Sequence, residues 1–225
     1  MNKPKTRHII LNGEEVRAVM DGIKTQMRFM VTHSDPTVMD NLCQICSDGL
    51  NWIFWTGKNR GKDHQQFTKQ AFKPGDVFPC SYGRPGDLLW VRETFGRLHD
   101  IDGGTYVYRA DFDPEMDLLK GMWQSPVSMT RNASRMTLKI KDVRAERLND
   151  ITESDAMAEG VERWIETRMK SQPTHYRIYY HEPGDDGTTY SSTAKTSFET
   201  LCQKKYGPDI LDKNPFVWVI EFEKA

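Results

Sequence analysis

The chain has 225 residues, 28% of them charged, and a formal net charge of −1. That balance excludes a global basic field of the kind that announces a nucleic-acid binder by itself, so any contact with a polyanion has to be local. No apolar run is long enough to span a bilayer, and the start Met1-Asn2-Lys3-Pro4-Lys5 lacks the apolar core of a signal peptide, so a soluble, cytoplasmic protein with no membrane partner is expected.

The length suits one decorated domain covering residues 1–225, and four cysteines do not make a disulfide scaffold. His8-Ile9-Ile10-Leu11 reads as a short buried strand closed by Asn12-Gly13. Residues 14–21 take helical period, with Val16, Val19 and Met20 apolar, and Gly22 ends the helix. Its acidic start suits the helix dipole, and glycine supplies the left-handed residue after the last turn. Lys24, Thr25 and Arg28 then emerge at a chain bend. Two readings are open there: a functional site, or a lysine that complements the helix end beside a solvated arginine.

Residues 34–73 are polar, aromatic and hard to order, and are expected to form an insertion with a hairpin. Cys43-Gln44-Ile45-Cys46 has the spacing of half a zinc knuckle, which Cys80 with His64 or His33 would complete. No second Cys-x-x-Cys or His-x-x-x-His follows, so neither a metal nor any other cofactor is expected.

Lys73-Pro74-Gly75-Asp76 and Arg84-Pro85-Gly86-Asp87 repeat one turn-to-strand pattern, the short-strand spacing of a small barrel. After the second turn, period two puts Leu88, Trp90, Arg92 and Thr94 on one face of a strand and Leu89, Val91, Glu93 and Phe95 on the other. Each face carries one charge. Arg92 and Glu93 must therefore find partners at the strand end or line a wet cleft.

Thr105-Tyr106-Val107-Tyr108-Arg109 is a further strand. Residues 135–144 alternate with Met136, Leu138 and Ile140 inward, while Arg135, Lys139 and Lys141 lie on the polar side and Arg131, Arg144 and Arg147 flank it. This is the most basic part of the chain, either a solvated face or a place for a polyanion to dock. Thr152-Glu153-Ser154-Asp155 reads as a capping box that starts a helix running to Glu159. A carboxylate at a helix C-terminus needs a cation to answer it, which makes Glu159 a candidate acid or base. Residues 162–195 form a second insertion in which Tyr176, Tyr179 and Tyr180 either stack on bases or simply pack. A helix over 197–206 and a strongly β run over 215–222 close the chain.

Several motifs in one order now resemble a known family: Ile10-Leu11-Asn12-Gly13-Glu14, Asp21-Gly22-Ile23-Lys24-Thr25-Gln26, Tyr82-Gly83-Arg84-Pro85-Gly86-Asp87, Trp90-Val91-Arg92-Glu93-Thr94-Phe95, Ala133-Ser134-Arg135, residues 155–161, and Asn214-Pro215-Phe216-Val217-Trp218-Val219-Ile220-Glu221-Phe222. Together they are similar to the ASCH-domain proteins of phages and prophages, a branch of the PUA-like superfamily. The resemblance covers both ends and the middle and leaves the two insertions out. It implies an α+β fold: a PUA-like β-barrel of about six strands flanked by helices, with a cleft beside the helix-to-strand junction that binds RNA or a modified nucleoside. Some relatives are amidohydrolases of N4-acetylcytidine that use a Lys-x-x-Thr arrangement and a later glutamate. Lys24 and Glu159 match that lysine and glutamate, but Met27 stands at the threonine position.

A thioether cannot attack an amide carbonyl, so binding is favoured over catalysis. In the binding reading, Lys24, Arg28 and Arg92 engage phosphates or base edges, Trp90 or Phe95 stacks, and Glu93 and Arg135 complete the ligand set. In the hydrolase reading Lys24 is base or oxyanion partner, Glu159 shuttles the proton, and Thr25 or a water attacks; a ribonuclease belongs to the same class. A third reading is a phage accessory protein that captures a host protein through the aromatic group Trp52, Phe54 and Trp55.

Overall fold

The computed structural model describes residues 3–32, 42–47, 52–56, 77–78, 80–98, 104–112, 121–164, 175–179 and 190–225. In chain order the elements are β1 (Thr6–Ile10), α1 (Gly13–Met20), β2 (Gln26–Met30), β3 (Leu42–Ser47), β4 (Trp52–Thr56), β5 (Val77–Phe78), β6 (Leu88–Arg92), β7 (Phe95–Leu98) and β8 (Thr105–Tyr108). They continue with β9 (Thr137–Arg147), α2 (Glu153–Ala158), β10 (Arg163–Trp164), β11 (His175–Arg177), β12 (Tyr190–Ser191), α3 (Ala194–Tyr206), α4 (Ile210–Lys213) and β13 (Phe216–Lys224). The architecture is mixed α+β with a sheet core and few helices. No helix among the described residues is long and apolar enough to cross a membrane.

The last strand explains the layering. β13 reads as a continuous apolar run because both of its faces are buried. Phe216, Trp218, Ile220 and Phe222 join one cluster with Val16 and Val19 of α1, Leu89 and Val91 of β6, and Leu138 and Ile140 of β9. Val217 and Val219 point the other way, into a second cluster with Ala156 of α2, Phe198 and Cys202 of α3, and Tyr176 of β11. Helices therefore cover both faces at this strand. Truncating a fully buried residue such as Ile220 to alanine would cost about 2–5 kcal/mol, a sizeable share of a domain's stability.

Around β13 the five-stranded sheet runs β1-β6-β9-β13-β2, with β1 parallel to β6 and every other neighbouring pair antiparallel. β1 and β2 are its two edges, and the sheet does not close into a barrel ring among the described residues. Where about six barrel strands were expected, the main sheet has five among the described residues and two edges. Ile10 and Leu11 from the β1 end and Met27, Arg28, Phe29 and Met30 of β2 instead line one cavity between those edges. Outside this sheet lie the antiparallel set β3-β4-β5, whose first two strands form the hairpin expected in the first insertion, the pair β7-β8, and the set β10-β11-β12 in the second insertion.

Local signals behave as their chemistry dictates. Asp87 N donates to Arg84 O at 3.0 Å and Gly86 has φ +91°, the type II turn that Pro-Gly encodes. Asn12 caps α1 and shares a reciprocal capping box with Glu15. Thr152 caps α2 through Asp155 N, but the box expected there has one backbone arm only: Asp155 Oδ1 accepts from Gln26 and Arg144, and Oδ2 from the Thr152 hydroxyl.

Candidate functional site

Two glycines bring the site together. Gly22, at φ +73°, ends α1, so that Ile23 N and Lys24 N both donate to Ala18 O. Gly160, at φ +82°, ends α2 so close to that bend that a Cβ would lie 2.8 Å from Lys24 Cβ. The lysine and the end of α2 are consequently in contact. Lys24 Nζ donates to Glu159 O at 2.7 Å and to Glu159 Oε2 at 2.9 Å. The carboxylate that the helix dipole would disfavour thus has its cation.

Arg28, on β2, supplies a second. Its NH1 donates to Glu159 Oε1 at 2.8 Å and to Gln26 Oε1 at 2.9 Å, and its NH2 to Glu146 Oε1 at 2.6 Å. Lys24, Arg28 and Glu159 are 5%, 6% and 6% exposed, so each charge depends on the others for the solvation it has lost. Behind them the network continues outward. Arg144 binds Asp155, Glu146 and Glu221, and Gln26 donates to Asp155 at 2.9 Å and Glu221 at 3.1 Å. Burial alone would raise the Asp155 pKa, but the hydrogen bonds of Gln26 and Thr152 and the charges of Arg144 and Arg28 hold it below the usual carboxylate range.

This floor faces a cavity of about 1190 Å³. α1 forms one wall and α3 the other, with Met27 and Phe198 adding apolar surface. Tyr179 and Tyr206 line it as well, and Tyr179 is fixed at both ends: its hydroxyl accepts from Glu162 N and its own N–H donates to Thr200 Oγ1. Cys202 also reaches the cavity, but burial, followed by the Glu159 charge, pushes its thiol up to about 12, which leaves it a packing group rather than a nucleophile.

The other sequence-predicted residues lie elsewhere. Thr25 is exposed, does not line the cavity, and serves through its backbone, with N donating to Ala158 O and O accepting from Phe222 N. Met27, at the expected nucleophile position, does line it. Trp90 and Phe95 pack together with Met129 and Ala133, so the alternation predicted over 88–95 holds to Arg92 and breaks at the bend before β7. Arg92 stacks over Trp90 at 4.7 Å, and its Nε is buried without a hydrogen-bond partner among the described residues. Glu93 is fully buried and takes two 2.9 Å hydrogen bonds from Arg135, which also binds Asp111 at 2.7 Å and lies over the Tyr108 ring. None of these five residues lines the cavity.

The basic stretch around β9 is partly paired. Arg135 is answered by Glu93 at the bend after β6, and Lys139 and Arg144 by Glu223 and Glu221 of β13, while Arg131 and Lys141 stay exposed. Among the described residues no cluster of His, Cys, Asp or Glu could hold a metal ion. Cys80 is buried with its thiol pushed up by burial, while the Cys43 and Cys46 side chains, His33 and His64 lie outside the described residues, as do the side chains of Trp52, Phe54 and Trp55.

Sequence reasoning missed Gln26, Asp155 and Glu221 as supports of the floor and Lys204, Lys205 and Tyr206 as cavity wall. Asp155 carried a signal as the fourth residue of the predicted box; its contact with Gln26, 129 positions away, had none. Compared with protein-family models, curated proteins and solved structures, the chain matches none.

Proposed function

We propose that the protein is an ASCH-like member of the PUA-like type that binds RNA or a modified nucleoside in the cavity at the β2 edge, its sheet being a barrel opened along that seam. The observation that carries this reading is the buried Lys24–Glu159–Arg28 group at the cavity floor. An ammonium has three donors, and Glu159 takes two of those of Lys24, which leaves one for a ligand oxygen. Tyr179 and Tyr206 offer rings for a base, as RNA readers commonly do. The volume exceeds what a drug-sized ligand usually needs, so more than one nucleotide unit can enter.

Amide hydrolysis is the second reading, favoured by the 2.9 Å contact between Lys24 Nζ and Glu159. It requires a water as nucleophile, because Met27 cannot attack and Thr25 is outside the cavity. Both carboxylate oxygens of Glu159 already accept hydrogen bonds from cations, an arrangement suited to holding charge rather than collecting a proton.

Polarisation of a labelled single-stranded RNA, with calorimetry on cytidine and N4-acetylcytidine, tests the proposal. Lys24→Ala should weaken binding by about tenfold or more, the loss of one hydrogen bond to a charged group. Unchanged affinity in a folded Lys24→Ala protein would sink it. Turnover of N4-acetylcytidine that disappears in Lys24→Ala would move the conclusion to the second reading.

A further inference from the structure

The mouth of the cavity is bridged by charges rather than open. On one side α1 presents Glu14 and Glu15. On the other stand Lys204 and Lys205 of α3 and Arg177 of β11, and all five line the cavity. Lys205 Nζ lies 3.7 Å from Glu15 Oε1, and Arg177 NH1 lies 3.8 Å from Glu14 Oε1 while holding Glu162 at 2.9 Å. Lys204 has no carboxylate partner among the described residues; its Nζ sits 5.8 Å from the centre of the Tyr179 ring, and Arg177 Cζ 5.1 Å from it.

The two bridging contacts are long and wet. The side chains of Lys205 and Arg177 are 50% and 43% exposed, and pairs of this kind add little to stability. Glu15 has a separate structural duty, since its Oε2 accepts from Asn12 N in the capping box. A charge-assisted hydrogen bond to a phosphate oxygen is about 2.7–2.9 Å long, well inside the present separations. The cations are therefore placed and oriented across the entrance, yet none has its full complement of close acceptors on the α1 side.

We propose that this mouth is a phosphate-recognition site. In it Glu14 and Glu15 stand where a nucleotide's phosphate binds, and the ligand enters by taking Lys205 and Arg177 from those carboxylates while Lys204 adds a second ammonium. The inference rests on the cavity-binding reading and deepens it: the ligand is a phosphate-bearing nucleotide, not a neutral nucleoside. The phosphate belongs either to a free monoester or to the diester backbone of a strand.

Calorimetry with cytidine, cytidine 5′-monophosphate and a five-residue oligocytidylate tests this on the full chain. At low salt the monophosphate should bind about tenfold tighter than cytidine, and the preference should fall as salt rises. The decisive variant is Glu15→Gln, because glutamine keeps the acceptor that a capping box needs while removing the competing charge. It should raise the ratio of monophosphate to cytidine affinity about threefold, whereas Lys205→Gln should lower that ratio by a similar factor. A mere structural effect would shift both ligands together and leave the ratio alone.

An oligonucleotide that outbinds the monophosphate identifies a backbone diester as the natural group, and the reverse identifies a free nucleotide. Cytidine binding with no gain from phosphate, or a Glu15→Gln ratio that stays put or falls, overturns the inference and leaves the cavity reading standing. Failure of all three ligands to bind overturns both.

Discussion

Glu93 and Glu159 are both buried carboxylates held by cations, yet they are built for different work. Glu93 takes both of its hydrogen bonds from a single guanidinium, that of Arg135, in a flat two-point pair. Arg135 is then completed by Asp111 and the Tyr108 ring, and nothing in the group faces the cavity. Glu159 is divided between Lys24 and Arg28, which come from different elements, and one lysine donor is left over toward about 1190 Å³ of space. A saturated pair locks two strands together. A shared carboxylate with spare donors around it can hold a ligand.

The comparison can be broken by deleting each carboxylate. Glu159→Ala leaves Lys24 buried without its carboxylate and Arg28 with Glu146, and thermal or denaturant unfolding should show a loss of about 3–5 kcal/mol, with ligand binding abolished. Glu93→Ala should cost less, about 1–3 kcal/mol, because Arg135 is 22% exposed, keeps Asp111 and can recover water. Its ligand affinity should match that of the unmodified protein once folding is accounted for. Equal losses of binding in the two variants would erase the distinction.

Gly160→Ala sharpens it more finely. The residue must hold φ +82° with a methyl group 2.8 Å from Lys24 Cβ, so a penalty of about 1–2 kcal/mol is expected, together with weaker binding as Lys24 is displaced. Gly86, also at positive φ, has nothing within 4 Å of such a methyl, so Gly86→Ala carries the backbone penalty without touching the floor.

The smallest effect is acid sensitivity. The folded-state pKa of Asp155 is lowered, so the unfolded chain binds its proton more readily and stability rises with pH across that range. The contribution is complete above the unfolded value of about 3.9 and disappears as pH falls through the folded value. Unfolding midpoints measured from pH 6 down to about 2 should therefore fall less steeply in Asp155→Asn than in the unmodified protein.

Local chemistry was legible from the residues. Proline and glycine encode the turn at Arg84-Pro85-Gly86-Asp87, Gly22 closes α1, and the apolar, β-branched run at residues 215–222 announces the last strand. Lys24 and Glu159 could be named because each is a charge beside a helix end, where it needs an answer, and Arg28 because it follows Lys24 by four positions in a basic, polar stretch. The alternation after Arg92 was misread because a strand's period carries no mark of where the strand ends, and the bend at Glu93 moves Phe95 into the Trp90 cluster. The pairing of the basic stretch of β9 was invisible for another reason. The acids that answer it sit at the bend after β6 and on β13, and one-dimensional charge counting cannot see across a sheet.

By itself, then, the sequence determined most of the longer elements, the turn at residues 84–87, the first helix's ends and the titratable residues that had to be paired, because these depend on neighbours within a few positions; β2, which reads as a chain bend, escaped it. Only the tertiary structure decided that β1 and β2 are edges, that one cavity is lined from the ends of both, and that Glu159 falls to Lys24 and Arg28 while Glu93 falls to Arg135. Those outcomes rest on contacts between residues 42 to 135 positions apart, and electrostatic pairing at such separations is settled by packing geometry, not by any local preference.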